Sequence, residues 1–109
     1  MFKYNFWKDQ INTDEGFMIQ FGNSPHYLKY IEGSDVYVVG IERAVSGPDA
    51  VEIYQESIRP ADAPRGPASW GLVDEETRKK IIENLLRALT AVKIKWTLVS
   101  VRSGVIKEG

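Results

Sequence analysis

Residues Asp74 to Val92, DEETRKKIIENLLRALTAV, decide how the rest of the chain must fold. At about 100° per residue, Ile81, Ile82, Leu85, Leu86, Ala88, Leu89 and Val92 share one arc of roughly 160°, the wide apolar stripe of a helix docked on a core. Glu76, Lys80, Glu83, Asn84 and Arg87 fall on the other side. Asp74 is a good N-cap residue, and Glu75 and Glu76 occupy the first turn, where the helix dipole favours acids. The acid-first pairs Glu75–Lys79, Glu76–Lys80 and Glu83–Arg87 have helical spacing, worth a few tenths of a kcal/mol each. Docking dominates: burying six large aliphatic side chains at about 1.5–3 kcal/mol each gives on the order of 10 kcal/mol gross.

That stripe needs a sheet to cover, and the chain before the helix supplies one. Phe2, Tyr4 and Phe6 alternate with Lys3 and Asn5, and Phe17, Ile19 and Phe21 alternate with Met18 and Gln20, the period of two of half-buried strands. Between them Gln10 to Gly16 reads as a polar hairpin connection, and Gly22 to Pro25 as a loop. A strand at His26–Glu32 meets Gly33–Ser34, a tight turn, and then Asp35–Glu42, DVYVVGIE, apolar on both faces as a central strand requires. Gly40 within it marks a bulge or a close crossing. After a turn at Ser46–Asp49, Ala50–Ile58 is an amphipathic strand with Glu52, Tyr54 and Glu56 outward. Ile94 to Val101 alternates again after the helix.

The expected fold is α+β: an antiparallel meander of roughly five or six strands with one long helix packed on one face. The 109 residues form a single domain, with a Pro- and Gly-rich connection at 59–73, the helix at 74–92 and a tail at 103–109.

Composition narrows function by exclusion. The chain has no cysteine, which rules out disulfides, thiolate nucleophiles and thiolate metal sites. His26 is the only histidine, with no carboxylate at helical spacing and no marked nucleophile, and no phosphate-binding glycine loop is present, so no catalytic residue, cofactor or metal is expected. The N-terminus, MFKYNFWKDQ, lacks the basic and apolar regions of a signal peptide, and no run of apolar residues is long enough to span a membrane; a cytoplasmic location is expected.

Charge is unevenly spread. Residues 1–58 carry nine acids against four bases, a balance of −5, and residues 59–109 carry ten bases against six acids, a balance of +4. A molecule so divided has two electrostatic sides, suited to oriented encounter with a charged partner. The basic half, with Lys93, Lys95, Arg102 and the tryptophans Trp70 and Trp96, raises nucleic-acid binding as an alternative. It is the weaker reading, because Lys79, Lys80 and Arg87 have helical acid partners and Trp96 alternates as a core residue. Protein binding is favoured. Its candidate face comprises Asp49, Glu52, Tyr54, Glu56, Arg59, Asp62, Arg65 and Trp70, which include the Tyr, Trp and Arg types enriched at hot spots. Self-association is left open.

The succession DVYVVGIE, VEIYQESIR, a proline-rich link and DEETRKKIIENLLRAL resembles small immunity proteins of bacterial polymorphic-toxin and contact-dependent growth-inhibition systems. The likeness covers roughly residues 27–101. The link, PADAPRGPASW, departs from that family's pattern, in which a Trp soon after SIR is followed by paired prolines. The resemblance implies a cytoplasmic antitoxin without catalysis, binding one cognate toxin domain tightly. For a nuclease toxin, the acidic half would lie across the basic cleft in place of phosphates; inhibition at an exosite fits equally.

Overall fold

The computed structural model describes residues 1–21, 25–43, 50–63 and 72–109. Its elements are β1 (Phe2–Asn5), β2 (Gln10–Thr13), β3 (Phe17–Phe21), β4 (Tyr27–Glu32), β5 (Asp35–Arg43), β6 (Ala50–Tyr54), β7 (Arg59–Pro60), the helix α1 (Glu75–Ala91), β8 (Lys95–Ser100) and β9 (Gly104–Glu108). They build one nine-stranded sheet in the order β1-β2-β3-β4-β5-β6-β8-β9, with β7 on β5. The α+β class with one helix stands, but the sheet is larger than expected and is not a pure meander. Strands β1 to β6 run antiparallel in sequence order, whereas β8 joins β6 in parallel, pairing Val51 with Trp96 and Ile53 with Leu98. The helix causes this: a chain that leaves β6 and crosses the sheet by α1 returns in the direction it started.

Alternation places the core. Ile11, Ile19, Phe17, Leu28, Tyr30, Val39, Ile41, Val51, Ile53, Trp96 and Leu98 fill the inner face of the sheet, and Ile81, Leu85, Ala88 and Leu89 of α1 close over them. Ile82, Leu86 and Val92 pack at the margin, so the whole predicted stripe meets the sheet. Asp74 caps α1 by accepting from the Thr77 amide at 3.3 Å. At the other end the Lys93 amide donates to the Thr90 carbonyl and the Ile94 amide to that of Leu89, a Schellman cap with Lys93 at φ +65°.

The polar side of α1 does not behave as its spacing suggests. Lys80 reaches Glu32 at 2.9 Å and Arg87 reaches Glu15 at 2.8 Å, both acids of the sheet. Asn84 donates to the Tyr30 hydroxyl, which donates to Glu32, so one hydrogen-bonded chain ties helix to sheet. Burial pushes the Tyr30 phenol well up, aided by Glu32, while Lys80 and then Tyr30 hold the Glu32 carboxyl below its usual range. These cross-layer pairs also cancel part of the charge asymmetry between the two halves of the chain.

Four further expectations are corrected. The segment read as a hairpin connection contains β2, hidden because only Ile11 of its four residues is apolar. Phe6 is not a core residue: β1 ends at Asn5, and Phe6 and Trp7 stand 78% and 92% exposed on the turn to β2. The tail at 103–109 contains β9, an edge strand exposed along its length and held by backbone pairing, so no apolar period announced it. The strand at Ala50–Ile58 stops at Tyr54 for a 3-10 turn, Gln55–Ser57, and resumes as β7 at Arg59–Pro60, where the connection was expected to begin. Glycine at 33 does supply the positive φ of the β4–β5 turn, at +62°.

Candidate protein-binding face

The helix covers one face of the sheet, and the alternating positions of the strands form the other. On β5 these are Val36, Val38, Gly40 and Glu42; on β4, Tyr27, Lys29 and Ile31; on β6, Ala50, Glu52 and Tyr54. An open groove of about 490 Å³ crosses this outer face, floored by Val38 and Gly40 and walled by Tyr27, Tyr54, Arg59 and Val101.

The groove exists because of how β6 gives way to β7. Residues 53 and 41 are register partners, as are 59 and 38, so the 3-10 turn inserts three extra residues opposite Gly40. Ser57 in that turn replaces the missing strand partner: its Oγ accepts from the Gly40 amide at 2.8 Å and donates to the Tyr54 carbonyl at 2.6 Å. A Cβ on residue 40 would lie 2.8 Å from that Oγ, so glycine is required by close approach, not by its own backbone angles. Arg59, half-buried, donates to the Ala63 carbonyl at 3.0 Å and lies along the wall.

Acids sit at the rim. Glu42 and Glu52 are direct register partners across β5 and β6. Like charges directly opposed across strands destabilise the pair. His26 Nδ1 stands 3.1 Å from Glu42 Oε1 on the exposed side. Burial, then the charges of Glu52 and Glu42, raise the Tyr54 phenol above its ordinary range, and a hydrogen bond to Glu52 adds to this. The rim is therefore an acidic, tyrosine-bearing edge beside an apolar floor.

Comparisons with protein-family models, curated proteins and solved structures return no match. The site must speak for itself.

Of the residues singled out in the sequence, Tyr54 and Arg59 line the groove together and Glu52 stands at its acidic edge. Glu56 does not belong to this surface. Lying in the 3-10 turn and not in a strand, it turns its carboxylate to the β8–β9 hairpin, accepting from the Ser100 hydroxyl at 2.8 Å and the Val101 amide at 2.7 Å. Asp62 is exposed beyond β7, beside the Ser34–Asp35 turn and away from the groove. Asp49, Arg65 and Trp70 lie outside the described residues. Tyr27, His26 and Glu42 belong to the face although sequence reading missed them. Their strands were legible; the pairing of Glu42 with Glu52 was not, because it depends on the register between β5 and β6, which neither strand's own pattern fixes.

Among the described residues, no group of three or more His, Cys, Asp or Glu is placed to hold a metal ion, and no helix is long and apolar enough to cross a membrane. Within the basic half, Lys80 and Arg87 are engaged with Glu32 and Glu15.

Proposed function

We propose that this chain is a non-catalytic immunity protein of the bacterial cytoplasm, which neutralises one cognate toxin domain by laying its outer sheet face over a cationic site of that domain. The observation that carries this reading is the opposed pair Glu42 and Glu52 beside the apolar groove. Like charges opposed across strands disfavour the pair in general, and a guanidinium or ammonium entering beside Glu52 and the His26-contacted Glu42 would offset that cost. Tyr27, Tyr54 and Arg59 supply anchors of the types that dominate binding energy. A nuclease toxin fits best, because its substrate cleft presents cations arranged for phosphates, and charge matching would speed association.

The reading predicts that the gene immediately upstream encodes a large secreted protein, and the test is co-expression of this chain with that protein's C-terminal domain. The expected outcome is a stoichiometric complex and protected growth. In the double variant Glu42→Lys/Glu52→Lys, affinity should fall at least about 100-fold, with much of the loss in the association rate at low salt. Unprotected growth beside a well-folded chain, or unchanged affinity in the double variant, would sink the reading.

A further inference from the structure

The outer face of the sheet carries opposite charges at two heights. Arg59 of β7 is the register partner of Val38, and Glu52 of β6 is the partner of Glu42, so along β5 the cation and the acid pair stand four residues apart. At about 3.3 Å per residue that is roughly 13 Å. β5 buries Val39 and Ile41 in the core, which leaves Val38, Gly40 and Glu42 on the side away from α1. Arg59 follows buried Ile58 and lines the groove with them. Its Nη1 donates to the Ala63 carbonyl, and among the described residues neither Arg59 nor Glu52 has an ion-pair partner.

Midway between those charges the face is notched. Gly40 has no side chain, its partner on β4 is Tyr27, and on the other flank Tyr54 follows Ile53, the partner of Ile41. Both tyrosines line the groove, so its midpoint is a glycine floor between two phenol side chains. The Ser57 hydroxyl, bonded to the Gly40 amide, fixes that floor. From the notch it is two residues along β5, about 7 Å, to the level of Arg59 and the same distance to the level of the acids.

Cation, apolar notch and acid pair in steps of about 7 Å repeat the spacing of one face of a β-strand, whose side chains i, i+2 and i+4 stand about 6.6–6.8 Å apart. A helix spans the same length with i, i+4 and i+8, but turns about 40° at each step and carries the third side chain off the line. We propose that the groove accepts a strand of the partner presenting an acid, an apolar and a basic side chain at alternate positions. The acid meets Arg59, the apolar side chain enters over Gly40 between Tyr27 and Tyr54, and the base meets Glu42 and Glu52, whose paired carboxylates suit a guanidinium fork. The strand's backbone stays paired in the partner's own sheet, since sheets packed face to face stand about 10 Å apart and meet through side chains. The inference rests on the assignment of this groove to a protein partner and not on that partner being a toxin.

The test is a nuclear magnetic resonance titration of the isotope-labelled full chain with a cyclic hairpin peptide, one strand of which reads Glu-x-Leu-x-Arg. Saturable shifts are expected at the amides of Gly40, Glu42, Glu52 and Arg59, with those of α1 unmoved. Moving the peptide's arginine one position along turns it to the opposite face and should weaken binding about 10-fold, the scale of one charged hydrogen bond. Arg59→Met should cost the same factor against the Glu peptide and nothing against a Gln-x-Leu-x-Arg control, which also shows that the groove is intact. No saturable binding up to millimolar peptide, equal binding of the shifted peptide, or an Arg59→Met loss that persists with the Gln control would overturn the inference. A toxin complex that forms while the hairpin fails to bind would overturn this inference alone, and hairpin binding without a toxin complex would overturn only the immunity reading.

Discussion

Gly40→Ala isolates the contact that shapes the groove. In most strands alanine would replace glycine with a gain, since glycine loses more backbone entropy on folding and costs roughly 0.5–1 kcal/mol relative to alanine. Gly40 has no positive φ that would strain alanine. The obstacle is Ser57: the new methyl would sit 2.8 Å from its Oγ and 3.0 Å from its Cβ. That oxygen cannot swing aside without giving up the Gly40 amide and the Tyr54 carbonyl. Relief therefore means shifting the 3-10 turn or breaking two hydrogen bonds, and overpacking of this kind costs about 1–3 kcal/mol. The net expectation is a loss of about 1–2 kcal/mol after the entropic gain, read as a lower urea midpoint with an unchanged slope. Ser57→Gly alone should also cost about 1–2 kcal/mol, because it strands the half-buried Gly40 amide. The double variant should lose less than the sum of the two, since without Ser57 the methyl has room. If Gly40→Ala were as stable as the parent, or if the two losses simply added, the interlock would not be what keeps glycine at this position.

Three other outcomes follow from named contacts. Burial opposes ionisation of Asp9, but the hydrogen bonds from Arg43 and Tyr4 and the charge of Arg43 outweigh it, holding the carboxyl below its usual range. Asp9→Asn should thus cost about 1–2 kcal/mol near neutrality, reduced from the value for a charged hydrogen bond by the exposure of the pair. A depressed native pKa contributes stability above the unfolded value of about 3.9 and loses it as pH falls through the folded value, so the gap between parent and variant should be flat from pH 7 to 5 and close below about pH 4. Lys93→Gly should stabilise the protein by about 0.5–1 kcal/mol in thermal unfolding, because Lys93 holds the left-handed position of the Schellman cap that glycine occupies without strain. Glu56→Ala should raise amide exchange at Val101 and loosen the β8–β9 hairpin while leaving α1 protected, since both Glu56 contacts are local to that hairpin.

What the sequence disclosed and what it hid differ by the range of the interactions involved. The helix and its cap at Asp74 are local, and so is the Gly33–Ser34 turn; each could be read from a few neighbouring residues. β2 and β9 escaped because pattern reading needs apolar residues on one face: β2 has only Ile11, and β9 buries nothing. The ion pairs of Lys80 and Arg87 escaped for an energetic reason. A helical neighbour offers each only a solvated acid, whereas Glu32 and Glu15 are more than half covered and lie across the layer interface. The insertion of Gln55–Ser57 is a bargain struck with Gly40, seventeen residues away, and no window on either segment shows it. The same limit applied to the site. Glu52 and Tyr54 announced themselves as outward positions of one strand and Arg59 as a polar residue of the connection after it, but the acid pair and the groove floor appear only when the strands are set side by side.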